Sequence, residues 1–241
     1  MRAKERQSPD YAAIAGIDRM TLPRLIWKLV DTSQIESMIA DACVDTECSS
    51  ELRELLAVVA DRQGVNAGDD DLNRGCRFVL GYIRQVPYMM KVAWTAARNV
   101  GLEVEMQQIL EMVESYWIEG DDIIPDELGV IGLMDDAYCS LSSLQAFSDH
   151  YQLQTGKYLF PDNLSSANDA MRKIIGEPYG SELDRIVIAT MKKTGVIEAV
   201  KAFASEEKKI HFSNKSTIWN HGPAGSMDIK DLSGLGLIDD D

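Results

Sequence analysis

The chain is short of the residues from which most catalytic sites are built. Only three histidines occur in its 241 residues, His150, His211 and His221. None stands in a recognisable motif with a serine or cysteine, so the sequence offers no nucleophile beside its base. The four cysteines, Cys43, Cys48, Cys76 and Cys139, are scattered. The Cys43 and Cys48 pair lacks the second Cys/His pair of a tetrahedral zinc site, and reduced, mostly buried thiols are the expectation. No apolar run reaches the ~18 residues of a membrane span, and Arg2, Lys4 and Arg6 are not followed by the apolar stretch of a secretory signal. These absences predict a soluble, cytoplasmic protein. Gly-Leu-Gly at 234–236 has neither a preceding strand nor the rest of a dinucleotide fingerprint.

Positive charge is also scarce. Lys and Arg number 24 against 39 Asp and Glu, a formal charge of −15. Affinity for a phosphate backbone comes largely from Lys and Arg displacing counterions, so nucleic acid is disfavoured as a partner. A basic protein or a cation suits this charge better. The deficit is concentrated: no Lys or Arg lies between Arg98 and Lys157, an interval that holds twelve Asp or Glu residues.

What the chain has in quantity is apolar residues at helical spacing. With 45% hydrophobic residues it can bury a sizeable core without staples. Apolar positions recur at three and four, as in Leu52, Leu55, Leu56 and Val59, or Leu102, Met106, Ile109, Val113 and Tyr116. The expected fold is all-α, an irregular multi-helix bundle. Helices are predicted over about 22–31, 33–44, 50–63, 71–85, 88–100, 102–118, 133–154, 165–175, 181–194 and 196–204. Pro87 marks a break and Gly101 a stop. Ser181 with Asp184 resembles a capping box. Residues 1–20 read as a partly disordered segment, 21–205 as one helical domain, and 206–241 as an irregular extension that either docks on the bundle or stays free.

The most distinctive segment runs from Glu119 to Asp136. Pro125 cannot continue the helix that precedes it, and Gly120, Gly129 and Gly132 permit turns, so an acidic bend between two central helices is predicted. Its carboxylates have two readings. They can cap helix N-termini, with Asp135 and Asp136 in the first turn of the following helix. Alternatively Asp122, Asp126, Asp135 and Asp136 converge on a divalent cation such as Mg²⁺ or Ca²⁺, which take oxygen ligands.

Asp122-Ile-Ile-Pro-Asp126, then Gly132, then Asp135-Asp136, resembles the signature of the YkvA-like family, a small bacterial domain of unknown function. Asp122, Pro125, Asp126, Gly132, Asp135 and Asp136 match at the family's spacing. Gly120 and Gly129 stand where the family has proline. The resemblance covers about residues 75–150 and implies no established activity. Many members carry apolar helices beside the motif and look membrane-associated. Here Glu103, Glu105, Glu111 and Glu114 flank it on one side and Ser140, Ser142, Ser143 and Asp149 on the other. The expected function is therefore that of a non-enzymatic interaction or regulatory protein. It would bind a macromolecular partner, a basic protein, through Glu103, Glu111, Glu114 and Glu119. A metal-binding protein or metal-dependent enzyme using the Asp cluster is the alternative.

Overall fold

Nine α-helices account for most of the residues that the computed structural model describes, which are 30–43, 48–119, 123–206, 216–217 and 229–238. They are α1 (Ser33–Ala42), α2 (Ser50–Arg62), α3 (Asp69–Arg84), α4 (Val86–Val100), α5 (Glu103–Glu119), α6 (Met134–Thr155), α7 (Ser165–Ile175), α8 (Tyr179–Lys193) and α9 (Val196–Glu206). The fold is all-α, as its periodicity predicts. The helix expected over 22–31 lies almost wholly outside the described residues.

Local chemistry sets most of the boundaries. Ser49 caps α2, its Oγ accepting the Leu52 N–H at 3.2 Å. The carboxylate of Asp71 takes the Gly68 N–H at 2.9 Å and so closes the first turn of α3. Gln85 alone separates α3 from α4, which opens with Pro87 in its first turn, where a missing N–H costs nothing. Gly101 ends α4 at φ +77°, and the Leu102 N–H folds back to the Ala97 carbonyl at 2.9 Å. The predicted capping box at Ser181 does not form. Helix α8 begins earlier, at Tyr179; the Ser181 N–H goes to Glu177, and Asp184 turns to Tyr138 and Arg172.

Helix α6 is the centre of the bundle. It packs against α3, α4, α5, α7, α8 and α9, and no residue from Met134 to Ser148 is exposed. Ala137, Leu141, Leu144 and Phe147 are fully buried. Several buried polar groups along it are matched, as an unmet donor or acceptor in a core costs about 1–3 kcal/mol. The Gln145 Oε1 accepts the Leu164 N–H at 2.9 Å, and the Ser140 Oγ donates to the Asp136 carbonyl at 2.7 Å. On α5 the buried stripe ends at Trp117 rather than Tyr116; the Trp117 indole N–H donates to the Ser140 Oγ at 2.9 Å.

Helices α2 and α3 form a hairpin in which Cys48, just before α2, is joined to Cys76 of α3, their Cα atoms 5.4 Å apart. This corrects the expectation of reduced thiols for two of the four cysteines. Linear spacing singled out Cys43 and Cys48, but reversal of the chain between α2 and α3 brings Cys76 closer. Cys43 and Cys139 are free and buried.

The C-terminal extension divides. A 3₁₀ helix, Ile229–Leu235, packs on α2 and α3 with Leu232, Leu235 and Leu237 buried, and Lys173 on α7 donates to the Leu237 carbonyl at 2.7 Å. Gly75 makes room for it, since a Cβ there would stand 2.6 Å from Leu235 Cδ1. Residues 216–217 pair in parallel with Asp162–Asn163, a two-residue bridge inside a region predicted as loop. Leu235→Ala should lower the free energy of unfolding by about 2–4 kcal/mol, the usual cost of hollowing a closed apolar contact. A urea melt that differs from wild type by less than the error would show that the tail adds nothing to the fold.

Candidate functional site

The segment between α5 and α6 is held by a carboxylate that reaches back across it. Asp135, in the first turn of α6, is completely buried, and its Oδ2 accepts the N–H groups of both Ile123 and Ile124 at 3.0 Å. Two N–H donors converging on one carboxyl oxygen make a directional clamp. The clamp differs from the predicted cap. Leu133 stands at the N-cap of α6 without a side-chain bond, and Asp135 serves the far limb of the bend instead of its own helix.

Beyond the clamp the chain runs through exposed Pro125 into a 3₁₀ turn, Asp126–Leu128, closed by the Leu128 N–H on the Pro125 carbonyl at 3.1 Å. Gly129 follows at φ +62°, a conformation that costs a residue with a Cβ. Gly132 is buried and lies within the turn at 131–133, but it is not among the left-handed glycines. The Met134 N–H on the Ile131 carbonyl, at 3.2 Å, leads into α6.

Asp136 is also buried, at 1% exposure, beside Tyr116 and Cys139. Burial raises the Cys139 thiol well above its ordinary range, and the Asp135 and Asp136 carboxylates raise it further. Burial likewise raises the Tyr116 phenol, with Cys139 and the same two carboxylates adding to it. Both groups stay protonated at neutral pH, so Cys139 is not poised as a nucleophile. His150 is the histidine among the described residues, and its Nε2 lies 3.1 Å from the Ile197 carbonyl. His211 and His221 fall outside them.

The four predicted metal ligands are only partly in view. Asp122 lies outside the described residues, and Asp126 is described in backbone only. Asp135 directs one oxygen to backbone N–H groups, and Asp136 is enclosed beside it. Among the described residues no three His, Cys, Asp or Glu side chains converge in a way that would hold a metal ion.

The predicted partner-binding residues lie along α5. Val104, Gln108, Glu111 and Ile118 are its exposed positions, and their spacings of four, three and seven place them on one stripe. Glu111 sits in the middle of that stripe and accepts a hydrogen bond from Gln107 at 2.9 Å. Glu114 is half-buried beside it. Glu103 is half-buried with its Oε2 closed off from solvent, so it is the least available of the set. Glu119 is described in backbone only. None of Glu103, Glu105, Glu111 or Glu114 is ion-paired with a described residue.

A second polar cluster carries no sequence motif. The Tyr138 hydroxyl donates to Asp184 Oδ1 at 2.7 Å, Arg172 Nε donates to Asp184 Oδ2 at 2.8 Å, and the Tyr82 hydroxyl donates to Asn168 Oδ1 at 2.7 Å. These contacts tie α3, α6, α7 and α8 together. Their partners are as many as 86 residues apart, and pairing at that distance leaves no local signal.

Comparison with protein-family models, with curated proteins and with solved structures finds no match in any of the three. Among the described residues no helix is long and apolar enough to cross a membrane.

The clamp and the buried phenols each have a measurable consequence. Asp135→Ala should destabilise the protein by about 1–3 kcal/mol, because two N–H groups lose their acceptor. Asp135→Asn keeps an oxygen there and should cost clearly less. Equal losses for the two variants in denaturant melts would count against the clamp. Tyr82, Tyr116 and Tyr138 are all raised above the ordinary phenol value, by burial first. Below about pH 10 that contribution to stability is fully present. Above it the unfolded chain releases protons that the folded chain retains, so stability falls as pH rises. Phenolate absorbance during an alkaline titration should show these three tyrosines ionising only as the protein unfolds.

Proposed function

We propose that the protein is a non-enzymatic interaction protein that binds a basic macromolecular partner through the acidic face of α5. The observation that carries this reading is the state of that face: carboxylates at Glu111 and Glu114 without ion-pair partners among the described residues, set between exposed Val104 and Ile118. A helix whose outer stripe joins apolar ends to an uncompensated acidic centre suits a partner with Lys or Arg around an apolar contact. The absence of Lys and Arg between Arg98 and Lys157 supports the same reading from the sequence.

Resemblance to the YkvA-like signature fits a role without chemistry, since in this reading the motif residues build the bend. Gly129 turns the chain and Asp135 fastens it. The face on α5 then projects from a rigid support.

Affinity capture from cell extract, at low and at raised ionic strength, tests the proposal. Wild-type protein should retain partners that the Glu111→Lys/Glu114→Lys variant loses by about tenfold or more, and raised salt should weaken the same partners because exposed charges are screened. Capture that is indifferent to both salt and charge reversal would overturn it.

A further inference from the structure

Beside the bend, the end of α1, the first turn of α2 and the loop after the 3₁₀ turn enclose an open groove of about 540 Å³. Its floor is apolar. Leu80 is buried beneath it, Val130 is half-buried, and Leu128 is 53% exposed, an unusual position for a leucine held on a fastened loop. Its rim is acidic. Asp41, Glu51 and Glu127 are all exposed, and none forms an ion pair with a described residue. Arg84, one turn beyond Leu80 on α3, donates to the Cys43 carbonyl at 3.5 Å.

We propose that this groove is a docking site for a basic amphipathic segment of a protein partner, with apolar side chains seated on Leu128 and Val130 and Lys or Arg side chains facing Asp41, Glu51 and Glu127. Charge complementarity selects this occupant. A neutral or acidic segment would bring three carboxylates against an apolar contact with nothing to offset them, and an anionic lipid surface would be repelled by the same rim. The apolar floor in turn excludes a merely basic chain as the best ligand, because burying Leu128 needs an apolar partner. The walls are pre-organised, since the Asp135 clamp on Ile123 and Ile124 fixes the loop that carries Glu127, Leu128 and Val130. None of the α5 residues of the preceding section takes part, so the two surfaces stand or fall separately.

The test uses the full chain and two fluorescein-labelled peptides of identical Leu and Lys composition. One is patterned as an amphipathic helix, and the other is scrambled so that it has no apolar face. Fluorescence anisotropy at physiological salt should show the patterned peptide binding about tenfold or more tightly than the scrambled one. Leu128→Ser, and separately Asp41→Lys/Glu127→Lys, should each weaken the patterned peptide by about tenfold, while Glu182→Lys, on α8 and in neither acidic surface, should leave it unchanged. All of these positions are exposed, and melting temperatures that stay close to wild type will show that the groove variants fold. Equal binding of the two peptides would overturn the proposal, as would wild-type affinity in both groove variants. Sedimentation showing a dimer that Leu128→Ser dissociates would assign the groove to a second copy of the chain and overturn it equally.

Discussion

Enclosure of α6 is the constraint on which the rest of the structure depends. A helix packed against six others cannot shed its polar groups into water. Several are answered where they lie, and those answers are the contacts that place the neighbours. Ser140 receives the Trp117 indole and sets α5; Gln145 receives the Leu164 N–H and sets the start of α7; Tyr138 donates to Asp184 and sets α8. The apolar residues between them supply the bulk of the burial, and the polar ones supply the register.

The same rule shapes the bend. A buried carboxylate is costly unless it is hydrogen-bonded, and Asp135 meets that need with two backbone N–H groups that would otherwise be spare in an irregular segment. The acid and the loop solve each other's problem. Two buried aspartates at the head of a central helix then read as structural parts, while the acids left on the surface, on α5 and around the groove, are the ones available to another molecule.

Much of the helical framework was legible in the sequence, because its signals are local. Ser49, Pro87 and Gly101 mark their boundaries with short-range chemistry, and the three-four spacing of Leu52, Leu56 and Val59 names the buried face of α2. What could not be read were pairings between distant positions. Cys48 meets Cys76 only because α2 and α3 reverse, Asp184 leaves its predicted cap because Tyr138 and Arg172 reach it from other helices, and Asp135 acts backwards across the bend. Of the candidate site, the stripe on α5 follows from periodicity. The groove does not, because Asp41, Glu51 and Glu127 come from three separate elements.

Docking of residues 229–238 on α2 and α3 bears on how the chain is made. Leu56 and Gly75 leave the ribosome early, whereas Leu235, which closes over them, follows about 160 residues later, on the order of ten seconds at ordinary elongation rates. Through that interval the hairpin presents an unfinished apolar seam to the cell. Residues this far apart in the chain also raise the contact order of the fold, so closing the tail over the hairpin is a long-range event rather than the growth of another helix.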